Sequence, residues 1–145
     1  MSNYSKILIC LDLTEESAKV AERARTLASG AGASFTLLHV VEYVPVEPMG
    51  EALLPAVQIE GELVERATSR LAEFSATLGF DQSERLVLTG NIKSEVVRVA
   101  EERGIDLIVI GSRERHGMSI LFNFTEDTVL HAAPCDVLAV RLQKS

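Results

Sequence analysis

The feature that most constrains the fold is a series of five short apolar runs, separated from one another by segments with helical periodicity. The first run, ILICL, shows no alternation of apolar and polar residues. Unbroken runs of this length are typical of strands buried on both faces of a parallel sheet. Strands that alternate with helices form right-handed βαβ crossovers. The sequence therefore predicts an α/β fold, a single doubly wound domain with helices on both faces of the sheet and strands at residues 6–11, 34–41, 84–89, 107–110 and 137–141.

The segments between the runs predict the crossover helices. Thr14 has a side chain suited to a helix N-cap, and apolar residues recur every three or four positions from there to residue 28. The same spacing predicts a helix over 59–78 that ends at Gly79, one around 96–100 that stops at Gly104, and a short one over 125–133. Residues 42–55 hold three of the four prolines and predict an irregular connection, which at that length is commonly mobile or functional.

Composition narrows the class of protein. The 145 residues suffice for one domain, spanning 1–145, that buries roughly two-thirds of its unfolded surface. A net charge of −7 and a pI near 5.0 argue against nucleic acid and anionic membranes as partners, because Lys and Arg dominate binding to both. No apolar run reaches the ~20 residues that span a bilayer, and the N-terminus lacks a signal-peptide core. Cys10 and Cys135 lie in apolar runs, so we expect reduced core thiols in a cytoplasmic protein that is not membrane-embedded.

Five segments together resemble the universal stress protein family over almost the whole chain: ILICLDLTEES, LLHVVE, TGNIKSEV, DLIVIGSR and APCDVLAVR. Their order and spacing carry the resemblance, and this is more specific than any one segment. The resemblance implies a five-stranded parallel sheet in the order 3-2-1-4-5. It also implies a homodimer joined through the last strand at the edge of the sheet.

The last strand supports the implied dimer on physical grounds. Val137, Leu138, Ala139 and Val140 are apolar, and neither proline nor lysine interrupts them to protect an exposed edge. An edge of this kind is either covered or pairs with another chain, and a two-fold dimer is the commonest closed arrangement. Coverage by the C-terminal tail or by a side chain of the same molecule is the alternative.

Residues 111–125 bear on whether a phosphate site is present. Nucleotide-binding members of the family resemble one another in a glycine, two residues, a glycine, nine residues, a glycine and then Ser or Thr, a pattern whose main-chain N–H groups cradle phosphates. The matching positions here are Gly111, Glu114, Phe124 and Thr125. Glu114 puts a carboxylate where phosphates would lie, and Phe124 puts a bulky ring where the backbone should approach the ligand. The chain therefore resembles the branch of the family that has lost ATP binding.

Other residues leave part of a nucleotide site open. Gly117 suits a phosphate loop without being one of its defining positions. Arg113 could bind phosphate or neutralise Glu114, although a solvated surface loop explains it as well. Asp12 and the Val40–Val41 region match positions that line the adenosine pocket in nucleotide-binding relatives. Asp12 is equally well explained as a turn carboxylate that bonds its own backbone.

No catalytic or metal-binding motif is found in the sequence. It lacks the G-x-x-x-x-G-K-[ST], G-x-G-x-x-G and G-x-S-x-G patterns, and its three histidines show no metal-ligand spacing, with His39 expected to be structural. We therefore expect no catalytic residues, no metal and no cofactor. The leading hypothesis is a non-catalytic cytoplasmic homodimer that acts in the stress response through contacts with an unknown protein partner. The alternatives are an ATP-binding protein using Mg, with or without slow ATPase activity, and a subunit that regulates a transporter, with the 42–55 segment as its contact surface.

Overall fold

Five parallel strands form a single sheet in the order β3-β2-β1-β4-β5, which confirms the predicted α/β architecture. The computed structural model describes residues 4–28, 32–42, 53–112, 129 and 131–142, and the side chains of residues 53–58 lie outside that description. All four strand pairings are parallel. The strands are β1 Lys6–Cys10, β2 Ser34–Val41, β3 Glu84–Thr89, β4 Leu107–Ser112 and β5 Asp136–Arg141.

Three helices cover the sheet in the described part of the chain: α1 Ser17–Leu27, α2 Leu53–Leu78 and α3 Ile92–Glu102. The end of α2 lies where the sequence predicts it. Gly79 has a φ of 79°, a conformation that glycine adopts without a steric penalty, and the Phe80 N–H then donates to the Ser75 carbonyl at 2.8 Å. Of the predicted helix over 125–133, Val129, His131 and Ala132 are helical, and 125–128 and 130 lie outside the described residues.

Two predicted helix starts are wrong. Helix α1 begins at Ser17 with Glu16 as its N-cap, and Thr14 lies in the preceding turn, where its hydroxyl donates to the Asp12 carboxylate. Helix α2 begins at Leu53, so the irregular connection predicted for 42–55 ends by residue 52, and residues 43–52 lie outside the described part. Pro55 is compatible with this start, since a proline in the first turn of a helix removes no intrahelical hydrogen bond.

The core lies on both faces of the sheet. On one face Ile7, Ile9 and Val109 pack against α1 and α2, and on the other face Leu8 and Ile108 pack against α3, all fully buried. Side chains of consecutive strand residues point to opposite faces, which explains why each central strand is apolar throughout. Each such side chain contributes about 1.5–3 kcal/mol by leaving water.

A search of the described helices finds none that is both long and apolar enough to cross a membrane. The 26-residue α2 is long enough, but charged residues recur along it.

Candidate functional site

The carboxyl ends of β1, β2 and β4 enclose a cavity of about 130 Å³. The strand order reverses between β1 and β4, and open α/β sheets bind ligands at such a point. Apolar side chains form most of the wall. The polar side chains in it are Asp12, His39 and Cys10.

A tight turn after β1 brings Asp12 into the cavity wall. Its Oδ1 accepts hydrogen bonds from the Thr14 N–H at 3.0 Å, the Thr14 hydroxyl at 2.8 Å and the Ser17 hydroxyl at 2.9 Å. Leu13 has a φ of 60°, which costs a residue with a side chain about 1–2 kcal/mol. Burial of the Leu13 side chain and a hydrogen bond from the Arg70 guanidinium to the Leu13 carbonyl offset that cost. Asp12 is thus a turn carboxylate that also faces the cavity.

His39 is a cavity residue that the sequence interpretation treated as structural. Its Nδ1 lies 2.7 Å from the Leu11 carbonyl oxygen, and since a carbonyl only accepts, Nδ1 carries the hydrogen. In the neutral ring Nε2 is then a hydrogen-bond acceptor. The Leu11 N–H also donates to the Leu38 carbonyl at 2.9 Å, so β2 holds the start of the turn through two bonds. The only available signal was the position of His39 near the carboxyl end of a predicted strand.

The first turn of α3 forms another wall, where Ile92 lines the cavity. Asn91 caps this helix, and its side-chain oxygen accepts from the Ser94 N–H at 3.0 Å. Glu42, the residue after β2, accepts from the Ile92 N–H through Oε2 at 2.9 Å. A carboxylate at the positive end of a helix dipole stabilises the helix by about 0.3–1 kcal/mol. Glu42 therefore ties the end of β2 to the start of α3 beside the cavity.

Gly111, near the end of β4, allows the wall to close on that side. A Cβ added at Gly111 would lie 2.8 Å from Leu142 Cδ1 and 3.3 Å from Val20 Cγ2, so a larger residue requires its neighbours to move. Leu142 is held in place because its N–H donates to the Ser112 carbonyl at 2.8 Å. The glycine thus lets the Leu142 and Val20 side chains pack closely against the end of β4, a role that the sequence motif did not reveal.

The profile of the Universal stress protein family matches residues 3–141 of the chain. This protein belongs to the universal stress protein family. It is 36% identical over 146 residues to Universal stress protein A homolog 2 of Coxiella burnetii, with 100% of each chain covered.

Two solved structures show that the fold is shared. Universal stress protein UspA from Lactobacillus plantarum superposes with a TM-score of 0.75 at 22% identity, covering 97% of this chain and 100% of that one. A universal stress protein in complex with cAMP superposes with a TM-score of 0.62 at 19% identity, covering 96% and 98%. At these identities the two likenesses establish the fold alone.

The nucleotide-site residues predicted for this universal stress protein fall into three groups. Asp12 and Gly111 lie together in the cavity wall. Within the Val40–Val41 region, Val40 lines the cavity, whereas the Val41 side chain is buried in the core cluster under α1 and α2. The reason is that neighbouring strand residues face opposite sides of the sheet. The remaining residues lie outside the described part of the chain: Arg113, Gly117 and Thr125, with the motif departures Glu114 and Phe124.

The structure also shows how the residues of the predicted dimer edge are buried. Within the described residues β5 pairs with β4 alone, so it is an edge strand of the sheet. Its four apolar residues are not equivalent: Val137 and Leu138 are half-buried, Ala139 is exposed, and Val140 is only 1% exposed. The Val140 side chain packs into the molecule's own core, so its side chain is not available at the edge.

Thiol chemistry has little scope among the described cavity residues. Burial, with a smaller contribution from Cys135, raises the pKa of the Cys10 thiol to about 12. A thiol of that pKa is protonated and unreactive near neutral pH. Among the described residues no three His, Cys, Asp or Glu side chains are grouped so that they could hold a metal ion.

Proposed function

We propose that this universal stress protein acts in the cytoplasm as a non-catalytic homodimer, and that the dimer serves the stress response by binding another protein. The observation that carries the proposal is the outer edge of β5. It is an edge strand rich in apolar residues, without a proline or lysine to protect it.

The direction of the β5 backbone supports pairing between two copies. The Leu142 N–H donates to the Ser112 carbonyl of β4. Main-chain groups alternate in direction along a strand, so those of Val140 also face β4 while those of Ala139 and Val137 point out of the sheet. A row of outward N–H and C=O groups is a template for another strand, and an identical edge satisfies it in a symmetric dimer.

The test is Ala139→Pro. Proline at 139 removes an outward N–H and leaves the hydrogen bonds to β4 intact, so an edge strand tolerates it. We expect the dimer dissociation constant to rise about tenfold or more, since at least one interchain hydrogen bond is lost and the ring obstructs the partner strand. Light scattering coupled to gel filtration measures the change.

Ala139→Thr is the matched control, because it changes the same exposed side chain and keeps the N–H. It should remain as dimeric as the unmodified protein. If Ala139→Pro dimerises with undiminished affinity, the dimer does not form through this edge. If the unmodified protein is monomeric at high concentration, the proposal of a homodimer is wrong.

The cavity favours a second candidate function, the binding of an adenine nucleotide, with ATP and Mg as the ligand. Its support is a mostly apolar cavity at the point of strand reversal with Asp12 and Gly111 in the wall. The family relative in complex with cAMP agrees with an adenine-containing ligand. If the candidate is right, millimolar MgATP should raise the melting temperature, since ligand at ~100 times its dissociation constant stabilises by about 2.7 kcal/mol.

A further inference from the structure

A groove of about 330 Å³ lies between the start of α1 and the last turns of α2, and it is named here the α1–α2 groove. Among the described residues it shares no lining residue with the cavity at the carboxyl ends of the strands. Its apolar lining includes Ala18 of α1 and Phe74 and Leu78 of α2, which are all half-buried. Apolar surface that remains accessible within a polar rim is typical of an interaction site.

Two arginine side chains join the walls of this groove. The guanidinium of Arg70 on α2 donates to the Leu13 carbonyl before α1, and the guanidinium of Arg25 on α1 donates to the Leu78 carbonyl at the end of α2. The Arg25 guanidinium also lies 4.3 Å from the centre of the Phe80 ring. Because the two helices are tied together in this way, the groove is formed before any partner binds, and a preformed site loses less entropy on binding.

The length of the groove fits two turns of a helix. Arg70 and Leu78 are eight residues apart on α2, which at 1.5 Å per residue is about 12 Å. An amphipathic helix presents apolar side chains at positions i, i+3, i+4 and i+7, which span about 10 Å along its axis. An extended segment would gain no main-chain hydrogen bonds here, since both walls are helices whose N–H and C=O groups bond internally. The groove is therefore suited to a helix of a partner.

The rim of the groove determines the charge that such a helix should carry. Glu15 beside α1 and Glu73 on α2 are exposed, and neither forms an ion pair with another described residue. Arg70 contributes a positive charge, but its guanidinium is already hydrogen-bonded to the Leu13 carbonyl. Two carboxylates against one guanidinium leave the rim negative, and the net charge of −7 adds to its field. Basic residues complement a rim of this kind.

We propose that the α1–α2 groove is the docking surface for the protein partner, and that the partner inserts an amphipathic helix with Lys or Arg beside its apolar stripe. This inference rests on the proposed function, in which the protein acts by binding another protein, and it specifies the surface and the chemistry of that contact. The apolar stripe covers Phe74 and Leu78, and the basic residues lie near Glu15 and Glu73. Charge repulsion disfavours an acidic occupant, including a second copy of this chain.

The probes are three synthetic peptides of about 18 residues, long enough to form helices in isolation, that share the same leucine and alanine positions. Their polar positions carry Lys and Arg in the first peptide, Glu in the second and Gln in the third. Calorimetric titration of the purified full-length protein measures the affinity for each peptide at low and at high salt. We expect the basic peptide to bind roughly tenfold or more tightly than the acidic peptide at low salt, and the ratio to shrink at high salt because the charges are screened.

Thr77→Arg tests the position of the contact, since Thr77 is exposed and lines the groove. The variant should fold, because arginine has a higher helix propensity than threonine. It should weaken binding of the basic peptide about tenfold or more, because the new side chain obstructs the groove and repels Lys and Arg. Ala76→Arg is the matched control: it adds the same side chain at the preceding exposed residue, which is not part of the groove lining. It should bind the basic peptide as tightly as the unmodified protein.

The outcomes separate this inference from the proposed homodimer, because peptide affinity and oligomeric state are measured independently. Absence of binding by all three peptides, tighter binding of the acidic or the Gln peptide, or equal effects of Thr77→Arg and Ala76→Arg overturns the docking inference. A monomeric protein that binds the basic peptide in the α1–α2 groove contradicts the homodimer and supports the docking inference. A dimer in which Thr77→Arg alone weakens the basic peptide supports both.

Discussion

At the amino end of the sheet the Asp106 carboxylate joins two strands that are distant in sequence, whereas at the carboxyl end the Asp12 carboxylate organises its own turn. Asp106 accepts from the Ser5 N–H at 2.9 Å, the Ser5 hydroxyl at 3.0 Å and the Lys6 N–H at 3.1 Å, across about 100 residues of chain. The three hydrogen bonds described for Asp12 come from residues two and five positions further on.

The neighbouring contacts extend this contrast. At the amino end Arg103 donates two hydrogen bonds to Glu84, at 2.8 and 2.6 Å, and this contact lowers the pKa of the Glu84 carboxyl. The Tyr4 hydroxyl donates to Asp136 at 2.8 Å. At the carboxyl end Leu13 has an unfavourable φ and the strands open onto a cavity. The comparison teaches that at one end of the sheet a carboxylate joins the ends of two strands directly, while at the other end the Asp12 carboxylate bonds within its own turn and the strand ends surround a cavity.

The largest effect should follow from filling the carboxyl end. Gly111→Val introduces a Cβ that approaches Leu142 Cδ1 to 2.8 Å, together with two further methyl groups. We expect a loss of about 1–3 kcal/mol in the free energy of unfolding, as is typical of overpacked cores. Urea denaturation followed by circular dichroism measures it.

Gly61→Val is the control, because a Cβ at Gly61 in α2 meets nothing within 4 Å. Valine there should be neutral or slightly stabilising, since it has a higher helix propensity than glycine. Unchanged stability in Gly111→Val would mean that Leu142 and Val20 move aside at little cost, so that close packing is not what shapes the carboxyl end of the sheet.

A smaller effect is expected at the amino end from Asp106→Asn. Burial raises the pKa of the Asp106 carboxyl, but the hydrogen bonds from Ser5 and Lys6 outweigh it and leave the pKa below its ordinary value of 3.8. A lowered folded-state pKa contributes stability above 3.8 that disappears as the pH falls through the lower value. We expect the variant to lose about 1–2 kcal/mol at neutral pH, because an amide cannot accept from all three donors.

The pH dependence makes this prediction specific. The stabilities of the unmodified protein and of Asp106→Asn should converge as the pH falls from 3.8 through the lower folded-state pKa, below which the aspartic acid is also neutral. Asp81→Asn, at an exposed acid in the turn after α2, should run parallel to the unmodified protein throughout. A difference at Asp106 that persists unchanged into acid would show that its charge has no part in closing this end.

The ends of β1, α1 and α2 show which features of the fold the sequence predicted correctly. The run 6–11 predicted β1 to within one residue, because a strand buried on both faces must be apolar throughout. Gly79 predicted the end of α2, because its left-handed conformation is a local property. Thr14 was misassigned as an N-cap because Thr also forms turns by local hydrogen bonding, and here its hydroxyl donates to Asp12 in the turn before the helix.

The cavity residues were harder to predict, since their roles depend on neighbours that are remote in the chain. Glu42 meets Ile92 across 50 positions, and His39 meets Leu11 across 28. The packing of Gly111 against Leu142 and Val20 requires two strands and a helix to be in place. Neither the spacing of residues along the sequence nor the residue type predicts such contacts.

The sequence by itself determined the class of this protein: apolar runs alternating with amphipathic segments allow a parallel sheet covered on both faces, and the acidic composition disfavours polyanionic partners. Only the tertiary structure decided which face Val40, Val41 and Val140 present, and that two carboxylates lie at the helix starts beside the cavity. The physical reason is the number of residues over which each effect acts along the chain. Backbone preference and hydrophobic periodicity act over a few residues, whereas register and packing between strands decide which side chains meet in space.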